Sequence, residues 1–167
     1  MVQDEVGWLL ETIKANWPGA SFPDTLARID RDEPKILETG ERTRSLELEE
    51  WNAIGASRTN REATPVGSEY DYRVETTISL RLEGLHADEW GNVASGADFE
   101  QLVRYVQHAV SVERSYPTVE DVDQDGIGSV AYHTISPPEN ETDLSGDDRD
   151  YFRRDWELRF IGYANQP

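Results

Sequence analysis

The stretch YDYRVETTISLRLEG, residues 70–84, constrains the fold more than any other part of the chain. From Tyr70 onward, Tyr72, Val74, Thr76, Ile78, Leu80 and Leu82 suit a buried face, while Asp71, Arg73, Glu75, Thr77, Ser79, Arg81 and Glu83 suit water or a polar partner. Period-two alternation puts the two sets on opposite sides of an extended chain, whereas a helix would scatter both around its surface. The strand so predicted is long, roughly 45 Å at about 3.3 Å per residue. With only one side apolar, it needs neighbours along its length and a cover for that side.

Two amphipathic segments supply the cover. In residues 3–16, Val6, Leu9, Leu10 and Ile13 recur at helical spacing and run on to Trp17, with Asp4 and Glu5 in the first turn and Pro18-Gly19 as the stop. A second helix is predicted from Asp98, an N-cap with Gln101 as capping-box partner, and Phe99, Leu102, Val103, Val106, Ala109 and Val110 form its stripe up to Tyr116-Pro117. Residues 28–40 and 45–59 read as strands broken by Gly40 and Gly55, and 60–69 as a loop. The C-terminal third reads as a hairpin of 129–135 with 151–165, in which Phe152, Trp156, Leu158 and Phe160 alternate with Arg153, Asp155, Glu157 and Arg159. Arg154 is the exception, falling on the apolar side, and the 137–150 connection is expected to be a long polar loop. The predicted class is α+β: one domain over 1–167, a mostly antiparallel sheet with two helices packed on one face, in the order helix, strands, long strand, helix, strand hairpin.

The charge balance narrows the setting. The formal net charge is −18, yet five Trp, seven Tyr and four Phe mark a chain able to bury a core. Fourteen arginines stand against only Lys14 and Lys35. Abundant carboxylates with few lysines suit a protein that stays hydrated in concentrated salt, where the Debye length falls to about 3 Å at 1 M and self-repulsion is screened. A halophilic source is therefore expected. The same charge argues against gripping nucleic acid, which needs clustered Lys and Arg. There is no cysteine, no apolar run long enough to cross a membrane and no signal-peptide core, so no membrane partner is expected.

Motifs for chemistry are sparse. Asp121, Asp123, Asp125 and Gly126 match the opening of an EF-hand loop, but Tyr132 stands where the bidentate Glu belongs, so the triplet reads as a solvated acidic turn and a weak metal candidate. His86, His108 and His133 are scattered without metal-ligand spacing, and no serine sits in a nucleophile elbow. NET at 140–142 fits a glycosylation acceptor only in an exported product. The chain thus reads as a non-enzyme with no catalytic residue and no cofactor. Trp51 and Trp90, in loop or strand-end positions, are candidate partner anchors beside Arg73, Arg81 and Arg153 of the alternating faces.

The segment 70–112, an alternating strand "YRVETTISLRLEG", a polar turn and the amphipathic "FEQLVRYVQHAVSVE", is preceded by the helix "VGWLLETIKANW" and followed by "SVAYHTI" and "DWELRFIGY". This order resembles the tail-terminator family of long-tailed viruses, also called tail-completion or head-tail joining proteins. The resemblance covers most of the chain by topology and carries over no individual residue. It implies a virion protein of a virus of halophilic archaea, made in the host cytoplasm, that forms a homo-oligomeric ring, commonly a hexamer. Such a ring caps the tail tube, stops its growth and meets a head-completion or adaptor protein, while genomic DNA passes through without specific binding. Head completion, a minor tail role, or a stand-alone halophilic α+β binding domain are the alternative readings. A metal-assisted hydrolase using the three aspartates is the enzymatic one.

Overall fold

The computed structural model describes residues 4–20, 24–26, 28–31, 34–36, 42–44, 52–67, 70–85, 96–112, 115–120, 129–143 and 151–165. Helix α1 spans Glu5–Asn16 and α2 Gly96–Ser111. The strands are β1 (Arg28–Arg31), β2 (Pro34–Ile36), β3 (Arg42–Arg44), β4 (Ala53–Pro65), β5 (Tyr72–Leu85), β6 (Thr118–Val119), β7 (Val130–Ile135), β8 (Glu139–Asp143) and β9 (Tyr151–Ala164). The class is α+β, with a curled seven-stranded sheet ordered β1-β4-β5-β9-β7-β6, β8 also pairing β9, and a separate β2-β3 pair. Only β1 with β4 is parallel.

The alternating stretch forms β5, paired over fourteen positions with β9. Val74, Thr76, Ile78, Leu80 and Leu82 are buried on one side, together with Phe152, Trp156, Leu158 and Phe160 of β9. Asp4 caps α1 by accepting the Gly7 amide at 2.8 Å, and Val6, Leu9 and Ile13 enter the same core as Phe99, Leu102, Val103, Val106 and Ala109 of α2. The ring of Trp8 meets Phe160 edge-on at 5.8 Å, Trp17 meets Tyr105 at 5.6 Å, and Phe99 stacks on Phe152 at 5.2 Å.

Several expectations are corrected. The segment 60–65, read as loop, continues β4 and pairs with β5 as far as Pro65↔Tyr72, the turn closed by the Val66 amide donating to the Asp71 carbonyl at 3.0 Å. Its side chains are mostly exposed, so the polar sequence of a projecting strand carries no alternation to read. The expected 137–150 loop likewise holds a strand, β8, laid against the first half of β9 while β7 takes the second half. Asp98 lies inside the first turn of α2, not at its cap, because the helix begins at Gly96. α2 ends at Ser111, short of the expected Tyr116-Pro117, and Val112 just beyond it is exposed.

Register shifts interrupt three of the described ladders, one of them between Glu139 and Thr142 of β8. Thr59 is an extra residue between Arg58↔Ile78 and Asn60↔Thr77, and His133 is one between Tyr132↔Gly162 and Thr134↔Ile161. The first puts Arg61 opposite Thr76, on the core side, where an uninterrupted ladder would set it opposite Glu75. At the second, the strands approach so closely that a Cβ on Gly162 would lie 2.4 Å from the Ala131 carbonyl oxygen; glycine is required there for space.

Candidate functional site

Two polar assemblies stand on opposite sides of the sheet. On the side away from the core, the odd-numbered residues of β5 and β9 form a band of ion pairs. Arg153 grips Asp155 through both Nε and Nη2, at 2.9 and 2.8 Å, and Arg73 reaches Glu75 at 3.4 Å. Arg159 bridges Glu75 at 3.4 Å and Glu139 of β8 at 2.5 Å, and the Asn140 amide donates to Glu157 at 2.9 Å. Exposed pairs of this sort contribute about 0–1 kcal/mol each. Their effect is mainly to neutralise one another in place.

At one end of the band the rings of Tyr70, Tyr163 and His133 stack in series, with centroid separations of 5.3 and 5.1 Å. Tyr70 is 37% exposed, and the bulge at His133 turns that ring toward Tyr163. At the other end, Arg81 and Glu83 are 1% and 2% exposed and pair at 3.1 Å. Of the two settings that the alternation allows them, water or a polar partner, these two take the polar partner. Opposite charges two positions apart on one strand lie side by side, which lowers the penalty of taking both out of water.

Of the other sequence-derived candidates, Arg73 and Arg153 lie in the band, whereas Trp51, Trp90, His86, Asp121, Asp123 and Asp125 lie outside the described residues. Among the described residues no group of three or more His, Asp or Glu side chains is arranged to hold a metal ion, and no helix is long and apolar enough to cross a membrane. His108 is exposed on α2. Asn140 adopts φ 54° beside the irregular Glu139/Thr142 pairing, a conformation asparagine tolerates.

The second assembly is buried and was not visible in the sequence. Glu5, only 1% exposed, accepts the Tyr132 hydroxyl at 2.5 Å and pairs with Arg61. Thr76 joins the set, 2.8 Å from the Tyr132 hydroxyl and 3.3 Å from Arg61 Nε. Four elements, α1, β4, β5 and β7, thereby meet at one carboxylate. A Glu in a first turn reads from sequence as a partner for the helix dipole. Its inward role depends on the Thr59 bulge delivering an arginine to it.

Arg154 belongs to a similar but more open arrangement. It is 9% exposed, lies over the Phe99 ring and reaches Glu100 at 2.6 Å and Glu141 at 3.4 Å, while Glu141 also accepts from Trp156 Nε1 at 2.9 Å. Its guanidinium emerges at the rim, which explains a charge on the apolar side of β9.

Burial, and then the neighbouring Glu5 charge, push the Tyr132 hydroxyl above its ordinary value of 10.0. A raised acid pKa in the folded state contributes stability that is complete below the unfolded value and is lost as pH climbs past it. Tyr132→Phe is therefore expected to flatten the alkaline limb of a melting-temperature profile above about pH 10. An unchanged limb would remove Tyr132 as its source. At the acid end, burial raises the Asp4 carboxyl, but the Arg31 hydrogen bond, the Gly7 amide and the Arg31 charge outweigh it and hold Asp4 below 3.8. That contribution is present above the unfolded value and fades as pH falls through the folded one.

The chain matches no protein-family model, and no curated protein matches it.

Proposed function

We propose that this protein is a structural subunit of the neck of a long-tailed virus of a halophilic archaeon. Copies assemble into a ring, a hexamer by the family resemblance, that caps the tail tube and joins it to the head-completion or adaptor protein. In this reading α1 and α2 cover one side of the sheet and the opposite side is left for neighbouring copies. The observation that carries it is the band on β5 and β9: a long, ordered, ion-paired surface opposite the side that shares its core with both helices. An extended surface of this kind suits an interface between large rigid bodies. The acidic remainder of the chain would line a bore through which DNA slides without sticking.

The test is light scattering on the purified chain in multimolar salt, alone and with tail tubes. A ring-sized mass, or a monomer that assembles on tubes and stops their growth, is the expected result. A monomer indifferent to tubes overturns the proposal.

A further inference from the structure

We infer that the β5–β9 band, together with the Tyr70–Tyr163–His133 stack at its end, is the surface on which one copy of this chain binds another. The inference rests on the ring reading and adds to it which surface makes the contact and how salt governs it.

The argument is one of charge. The chain carries a net −18, so two copies brought together at random repel. With Arg81 and Glu83 already buried, the remaining charges of the band are Arg73, Arg153 and Arg159 against Glu75, Asp155 and Glu157, with Glu139 of β8 held by Arg159, so three positive against four negative. An area with so little net charge is where a second copy of so acidic a molecule meets least opposition. A strongly basic partner would instead be drawn to the carboxylate-rich remainder. Residues of both signs, interspersed along β5 and β9, also let a second such band offer a carboxylate to each arginine.

The stack supplies what ion pairs in water do not. Tyr70 and Tyr163 are amphipathic rings already ordered by each other, so a partner burying them loses little side-chain freedom, the property that makes tyrosine a frequent interface anchor. Because the band is close to neutral while the whole copy is not, salt screens the long-range repulsion and leaves the local contact largely intact. Association is therefore expected to strengthen as salt rises, opposite to an interface between oppositely charged patches.

Sedimentation of the full chain between about 0.1 M and 2 M salt reads this directly, with Debye lengths from about 10 Å to below 3 Å. The wild type is expected to shift toward the oligomer with salt. Tyr70→Ala/Arg73→Glu is expected to weaken association at least about tenfold, the loss of one interface anchor, with little change in melting temperature. Tyr70→Ala alone, which alters no charge, gives a smaller loss in the same direction. Arg104→Glu, at an exposed position of α2, makes the same charge change away from the band and is expected to leave association unaltered. An oligomer broken by Arg104→Glu as readily as by the double variant, or untouched by the double variant, overturns the assignment of this surface while leaving the ring reading in place. A wild type monomeric at every salt concentration, with and without tail tubes, overturns both.

Discussion

Glu5→Ala is expected to lower the unfolding free energy by about 3–5 kcal/mol, the range for breaking a buried ion pair from one side. Arg61 would lose the Glu5 carboxylate while remaining largely sequestered, and Tyr132 would lose the acceptor 2.5 Å away. For a domain of this size, with about 2–4 °C per kcal/mol, the melting temperature should fall by roughly 6–20 °C. Urea unfolding followed by tryptophan fluorescence measures it. The paired variant Glu5→Leu/Arg61→Met should recover most of the loss, because exchanging both charges for apolar groups of similar volume is often neutral. Thr76 and Tyr132 still satisfy one another at 2.8 Å in that variant. A loss below about 1 kcal/mol for Glu5→Ala would show that water reaches the carboxylate, since exposed pairs fall in that range.

Phe160→Ala is the second large effect, about 3–5 kcal/mol for truncating a fully buried aromatic. Phe160 is 0% exposed and receives two rings edge-on, Trp8 of α1 and Tyr132 of β7, the latter at 5.5 Å. Removing it takes a shared floor from both elements and leaves a cavity that neither can fill by rotating a side chain. The expected signature is a lower urea midpoint accompanied by altered Trp8 emission. A small stability change with a shifted Trp8 spectrum would mean that α1 settles inward and closes the space. Phe160→Leu should retain a good part of the loss-prone contact, being smaller by less volume.

What the sequence revealed follows physical lines. β5 and α2 were legible because each has one wet side and one dry side along its length, so period and partition agree over many residues. β4 past Thr59 and the whole of β8 were not. NREATP and ENETD put polar groups on both sides of strands that are largely exposed, and pairing is then decided by backbone hydrogen bonds to β5 and β9. Arg154 stands out in the sequence as a charge on the apolar side of β9, and its place there follows from the rim position that only packing supplies. The outer band was readable from alternation alone, but the burial of Arg81 with Glu83 was not, because both are indistinguishable in sequence from their exposed neighbours. Glu5 was the least legible, since its partners lie 56 and 127 positions away along the chain.

The bulge at Thr59 leaves one residue of the projecting arm that the ladder does not count. Arg58 already stands opposite Ile78 and Asn60 opposite Thr77, so a chain shortened by Thr59 would run straight through with Arg61 still turned toward Glu5. Removal of a residue beyond Arg61, from Glu62 to Thr64, would instead swap the inner and outer sides of the arm past the gap. Length drift among descendants of this sequence should therefore collect at that single position.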